Sequence, residues 1–168
     1  ILYCTDDVDE FALRMMREFD GKEFRSASDK DLGIDDAAET ESVKEKSEEN
    51  KELLRLMKDD LNGKVKDVRL STRLKSHPVC LSSDGGVSIE MEKVLNTMPG
   101  DQKVQAERVL EINSGHPIFE TLKKLFAEDP EKLKTYSDLL YTQALLIEGL
   151  PIEDPVAFSN SICDLMTR

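Results

Sequence analysis

The sequence contains no tryptophan, and aromatic residues make up only 5% of it. A core must therefore be built from Leu, Ile, Val and Met, without the large buried areas that aromatic rings supply. The three cysteines, Cys4, Cys80 and Cys163, stand far apart with no CxxC spacing. That excludes a disulfide framework and fits a reducing compartment, so a cytoplasmic location is expected. No run approaches the ~18 apolar residues of a membrane-spanning helix. The Gly85-Gly86 pair belongs to neither a P-loop nor a dinucleotide fingerprint. His77 and His116 each precede a proline and lack partners at metal-ligand spacing, which leaves them a structural or capping role. Ser71, Ser76, Ser82 and Ser83 lie near His77 in sequence, but no nucleophile–base–acid set with an oxyanion site can be assembled from them. The chain reads as a non-enzyme with no catalytic residue, no metal and no cofactor of its own.

Positive charge is also in short supply. Lys and Arg number 23 against 35 Asp and Glu, a net charge of −12. Nucleic acid and anionic membrane both demand the opposite sign, so neither is expected as a partner. Half of the imbalance falls in residues 29–60, with 12 acidic and 6 basic side chains. Residues 64–75 form a basic island of Lys64, Lys66, Arg69, Arg73 and Lys75. No aromatics are interleaved there for base stacking, so it reads as a solvated strand face.

What the sequence has in excess is apolar helix surface near its C-terminal end. Over residues 131–150, Leu133, Tyr136, Leu139, Leu140, Ala144, Leu146, Ile147 and Leu150 recur at helical spacing and fill an arc of roughly 160°. Tyr141 and Leu145 lie outside that arc and widen it. A second helix over 154–167 spreads Val156, Phe158, Ile162, Cys163, Leu165 and Met166 over about half its circumference. The short connection between them folds the pair back antiparallel. So broad a band needs another surface, and a second copy of the chain is the simplest candidate. A four-helix bundle of two protomers is expected. Its contact residues would be Leu139, Leu140, Gln143, Leu146, Ile147, Phe158, Ile162, Leu165 and Met166.

A second amphipathic element covers residues 87–98, after Gly85-Gly86 and before Pro99-Gly100. Val87, Met91, Val94, Leu95 and Met98 form one seam, and Ile89 stands nearly opposite. Met among branched aliphatics adapts to varied apolar partners. Two readings stay open on these residues: an exposed contact site for other proteins, or a seam packed on a sheet. Phe11, beside Glu10 near a helix start, poses the same choice between core and contact.

Residues 1–4 read as a buried strand, followed by a helix capped by Thr5 or Asp6 and running to about Phe19, with Phe11, Ala12, Met15, Met16 and Phe19 inward. Asp20-Gly21 is a turn signal, and 22–27 alternates as a strand. This β-α-β piece is too small to fold alone and reads as the end of a larger domain. An acidic linker follows, then a helix over 40–61 stopped by Asn62-Gly63. Strands are expected at 65–72, 79–82 and 108–112, and helices at 117–128, 131–149 and 154–167, with Pro117, Pro130 and Pro155 at or near the helix starts. The expected class is α+β: a small three-stranded sheet with packed helices and a C-terminal helix pair forming a dimeric four-helix bundle, preceded by the end of an α/β domain. The division expected is 1–30, a linker and helix start at 31–46, and a dimerisation domain at 47–168.

The strings Val65-Lys66-Asp67-Val68-Arg69-Leu70-Ser71-Thr72-Arg73-Leu74 and His77-Pro78-Val79-Cys80-Leu81 resemble the start of the C-terminal domain of the 90-kDa heat-shock chaperone family. Leu110-Glu111-Ile112-Asn113, His116-Pro117-Ile118 and the run from Gln143 to Pro155 extend the resemblance. Residues 5–22 are similar to the last α/β piece of that family's middle domain. The chain stops soon after its last helix without an acidic EEVD-type tail, which points to the bacterial branch. The resemblance implies an ATP-dependent homodimeric chaperone for unfolded or partly folded client proteins. In that family ATP and Mg²⁺ are held by an N-terminal domain, so none is expected to bind here. It implies client contact at Glu10 and Phe11 and along Val87, Met91, Val94, Leu95 and Met98, and dimerisation through the terminal helix pair. The alternative is a generic dimeric adaptor with no direct client binding.

Overall fold

Proline opens three helices, where its fixed φ fits the first turn and its missing N–H would go unpaired anyway. His116, Asp129 and Asp154 stand before Pro117, Pro130 and Pro155, and their side chains accept from the N–H groups of Ile118, Lys132 and Ala157 at 3.2, 3.1 and 2.9 Å. The capping role expected of His116 is thereby realised. The computed structural model describes residues 1–6, 8–25, 37–97 and 104–167. In chain order the elements are α1 (Asp9–Met16), β1 (Glu18–Phe19), β2 (Lys22–Glu23), α2 (Ala37–Glu49), α3 (Lys51–Asp60), β3 (Asp67–Leu70), β4 (Val79–Ser83), α4 (Ile89–Thr97), β5 (Arg108–Ile112), α5 (Pro117–Glu128), α6 (Pro130–Ile147) and α7 (Pro155–Met166). They gather into two compact units: Ile1–Ile34 with Ser83–Glu107, and Asp35–Ser82 with Arg108–Arg168. The α+β class is as expected, but residues 83–107 group with the N-terminal segment, not with the rest of 47–168.

In the first unit the expected β-α-β piece is not formed. Residues 1–4 are irregular and exposed. A strand is stable only when a neighbour pairs with it, and none of the described residues does so here. Helix α1 stops at Met16, three residues early, because Arg17 turns to φ 61° and donates its N–H to the Leu13 carbonyl. None of its residues is buried, so Met15, Met16 and Phe19 do not face inward as expected. The N-terminal cap also runs the other way. Instead of Thr5 or Asp6 capping the helix, the Asp9 carboxylate accepts from the Thr5 and Asp6 N–H groups at 2.8 and 3.1 Å. Asp20 and Gly21, with φ of 52° and 72°, make the two-residue turn of a β1–β2 hairpin, as an Asp-Gly pair favours. Of the strand expected at 22–27, Lys22–Glu23 pairs with Glu18–Phe19, Phe24 N–H donates to the Arg17 carbonyl at 2.9 Å, and 26–27 lie outside the described residues.

In the second unit the expected helix over 40–61 divides at Asn50, whose side chain donates to the Lys46 carbonyl at 2.8 Å. Side-chain competition of this kind loosens a helix locally. Asn62 and Gly63 then end α3 with φ of 48° and 84°. The sheet has the order β3-β5-β4, and β3 lies parallel to β5 with Val68 opposite Leu110 and Leu70 opposite Ile112. The two-residue period puts these four on one face and Arg69 with Glu111 on the other. The apolar face joins a core of Leu53, Leu54, Met57 and Leu61 from the α3 segment, Phe119 and Leu122 from α5, and Leu133 and Ala144 from α6.

On the other face of the sheet, Glu111 is a buried charge. Its side chain is 2% exposed, yet it is a carboxylate. Oε1 accepts from Arg69 Nη2 at 2.6 Å, Arg73 Nη2 at 2.8 Å and Ser82 Oγ at 2.8 Å, while Oε2 accepts from Ser71 Oγ at 2.8 Å. Arg69 and Arg73 therefore turn inward, and the basic island is not the solvated strand face that its composition suggested. Burial pushes the Glu111 carboxyl up, but hydrogen bonds from Arg69 and Ser82 and the two guanidinium charges outweigh it and hold the pKa below 4.5. Burial, and then the Glu111 charge, push the neighbouring Cys80 thiol up to about 12.

Removing one partner of a buried ion pair costs about 3–5 kcal/mol. Glu111→Leu should fall near the lower end, because Arg69 and Arg73 keep about a quarter of their side chains exposed. Since the folded pKa lies below the unfolded one, Glu111 contributes fully above pH 4.5 and loses its contribution as pH falls further. Urea unfolding of Glu111→Gln across acid pH should show a flatter loss of stability below pH 4.5 than the parent chain. Parallel curves would contradict the network.

Candidate functional site

Two surfaces carry the residues singled out by sequence. The first is on α6 and α7. Helix α6 ends in a Schellman arrangement: Gly149 takes φ 67°, Gly149 N–H donates to the Leu146 carbonyl, and Leu150 N–H donates to the Leu145 carbonyl. The chain then turns through 150–154 into α7. The apolar arc expected on α6 is divided. Leu133, Leu140 and Ala144 turn into the chain's own core, joined by Tyr141 and Leu145. Tyr141 is held there by Arg108 Nη1, which donates to its hydroxyl at 3.0 Å, and by Lys64 Nζ, 5.9 Å from the ring centroid. Leu140 is only 6% exposed. It belongs to the monomer's core and offers little to a second copy, contrary to the sequence reading.

The other half of the arc stays open. Leu139 is half-buried, Gln143 is exposed, and Leu146 and Ile147 are 49% and 50% exposed. Helix α7 has no buried residue at all. Phe158 and Leu165 are half-buried, while Ile162 is 38% and Met166 79% exposed. Between α6, the 150–154 turn and α7 lies an open hollow of about 320 Å³, lined by Leu139, Leu145, Ile152 and Phe158 among others. A 12-residue helix whose apolar side chains all remain at least partly in water is under-packed as it stands.

The second surface is α4 with its neighbours in the first unit. The helix starts at Ile89, two residues later than expected, because Ser88 caps it: Ser88 Oγ accepts from Met91 N–H at 3.0 Å. The buried residues on this element are Ser88, Ile89 and Glu92. Val87, Met91, Val94 and Leu95 are half-buried, and Met98 lies outside the described residues. Ile89, which stands opposite the seam, is thus the buried apolar residue, and the seam is not. Glu10 and Phe11 are half-buried. Glu10 is brought to α4 directly, since Ser88 Oγ donates to its Oε1 at 2.6 Å. Ser88 and Arg14 are the functional candidates that sequence reasoning missed. A serine just before the first apolar helical residue was the available signal for the first, and the i,i+4 spacing of Glu10 and Arg14 on one helix was the signal for the second.

A Cβ on Gly85 would lie 3.1 Å from a carboxylate oxygen of Glu107, and negative charge at that turn repels phosphate. Among the described residues no group of three or more His, Cys, Asp or Glu side chains is placed to hold a metal, and no helix is long and apolar enough to cross a membrane.

The model of the family described as Hsp90 protein matches residues 1–168. The chain is 60% identical over 166 residues to the chaperone protein HtpG of Clostridium acetobutylicum, 59% to that of Halalkalibacterium halodurans and 56% to that of Bacillus subtilis. Each match covers 99% of this chain and 26% of the relative. The chain therefore spans about a quarter of the length of the curated relatives it matches.

The burial pattern of α4 separates two kinds of substitution. Ile89→Ala removes a fully packed side chain and should destabilise by about 2–4 kcal/mol. Met91→Ser, at a half-exposed position, should cost about 1 kcal/mol or less, with part of its transfer free energy retained in water. Urea midpoints of the two variants against the parent check this. Equal losses would mean that the seam is core.

Proposed function

The chain belongs to the Hsp90 protein family, and from that premise we propose that it is the dimerisation and client-contact portion of an ATP-dependent molecular chaperone that assists protein folding. The observation that carries the reading is the open apolar row of α6 and α7. Leu146, Ile147, Ile162 and Met166 stay in water while the other edge of α6 is fully used by the chain's own core. A second α6–α7 pair offers the same row in return, as two-fold symmetry requires. In this reading Leu139, Gln143, Leu146, Ile147, Phe158, Ile162, Leu165 and Met166 form the contact. Clients are unfolded or partly folded proteins that meet the seam of α4 beside Glu10 and Phe11. ATP and Mg²⁺ act elsewhere in the full-length protein, and the setting is the cytoplasm.

A carboxylate at Leu146 or Ile162 would be tolerated in a monomer, where both positions are open. Buried in a dimer without a partner it costs several kcal/mol, and the two-fold axis applies the cost twice. Leu146→Asp and Ile162→Asp should therefore be folded monomers by circular dichroism and light scattering. Lys123→Asp, on the charged face of α5, should remain a dimer. Full dimerisation of Ile162→Asp would place the interface elsewhere. For the client surface, Met91→Ser with Leu95→Ser should cut suppression of the aggregation of an unfolded protein without changing the dimer fraction. Unchanged suppression would favour a dimeric adaptor with no client contact.

A further inference from the structure

Helix α4 is rolled against its own amphipathic pattern. On a helical wheel the apolar seam of Val87, Met91, Val94 and Leu95 and the polar line of Ser88, Glu92 and Asn96 are centred roughly 100° apart. Hydrophobic burial alone would turn the seam inward. The structure instead buries Ser88 and Glu92 with Ile89 and leaves the seam half in water. Hydrogen bonds along the polar line account for this. Asn96 pairs with both backbone groups of Val104, donating from Nδ2 to the carbonyl and accepting at Oδ1 from the N–H, each at 2.9 Å. Glu92 Oε2 accepts from Ala106 N–H at 2.9 Å. At the start of the helix, Ser88 Oγ donates to Glu10 Oε1 at 2.6 Å while accepting from Met91 N–H. Arg14 completes the join: its Nε and Nη2 lie 3.0 Å from Glu10 Oε1, and its Nη1 donates to the Gly86 carbonyl at 3.1 Å.

The first two contacts tie α4 to the segment that follows it in the chain. Among the described residues, the Glu10–Arg14–Ser88 cluster ties it to α1, across 78 residues of sequence. We propose that this cluster is a polar latch that fixes the roll of α4 and so keeps its apolar seam turned outward, with Ser88 and Arg14 as positioning residues for the contact surface. The link to client contact rests on the function proposed above; the latch itself rests on geometry.

Ser88 has two jobs, capping α4 and donating to Glu10, and one substitution separates them. In Ser88→Asp the carboxylate still accepts from Met91 N–H, so the cap survives, but it cannot donate to Glu10 and repels it. Pairing it with Glu10→Gln restores a donor facing an acceptor. In the full chain, amide hydrogen exchange of α4 should quicken about tenfold in Ser88→Asp and return to within about threefold of the parent in Glu10→Gln/Ser88→Asp. A merely structural loss would not be rescued by a second substitution. Binding of a permanently unfolded, carboxymethylated polypeptide to Ser88→Asp should weaken about tenfold. Unchanged exchange in Ser88→Asp, or exchange in the double variant as fast as in the single one, overturns the latch. Rescued exchange with unchanged binding by Ser88→Asp supports the latch and overturns the client-contact reading of the seam.

Discussion

A single carboxylate in the middle of β5 receives hydrogen bonds from both flanking strands. Arg69 reaches Glu111 from β3, Ser82 from β4, and Ser71 with Arg73 from the turn after β3. A charge buried this deeply is tolerable only with every partner in place, because the interior returns little of the lost hydration. The constraint works in both directions. Glu111 cannot stay charged without the two arginines, and the arginines cannot leave the basic island for solvent without stranding it. The network thereby sets the spacing and register of a sheet too small to hold itself by strand pairing alone. On its opposite face that sheet supplies Val68, Leu70, Leu110 and Ile112 to the core shared with α3, α5 and α6.

From that platform the open surface follows. Helix α6 turns Leu133, Leu140, Tyr141, Ala144 and Leu145 toward the core. A helix can present only one side to a given layer, so Leu146 and Ile147 are left facing away, and α7 packs beside them without burying a residue. Apolar surface of this kind on a structured, well-capped helix pair is the usual mark of an association site. On α4 the same outcome is reached by other means. Hydrogen bonds to the polar line hold the helix at a roll that hydrophobic burial would not choose, and the seam remains partly in water.

Much of this was legible in the sequence. Strand β5 and helix α5 lie at 108–112 and 117–128 as read; the strand is a short, largely apolar run, and His116-Pro117 marks the helix start locally. The helical nature of α6 and α7 is equally plain from periodicity and from Asp129-Pro130 and Asp154-Pro155. Periodicity does not say which side of a broad apolar arc faces home. On α6 that was decided by Arg108 reaching the Tyr141 hydroxyl, a contact 33 residues distant in sequence, and it moved Leu140 from interface to core. On α4 it was decided by Ser88 meeting Glu10. The basic island failed for the same reason: the partner of Arg69 and Arg73 stands about 40 residues further along. Residues 1–4 carry the composition of a buried strand, but composition cannot supply the neighbouring strand that pairing needs.

The central claim is that the open row on α6 and α7 is covered by a second copy of the chain. Light scattering of the unmodified chain at tens of micromolar tests it most directly. An interface of standard size or larger predicts a particle of twice 19.0 kDa at that concentration. A single 19.0-kDa species throughout that range would contradict the account.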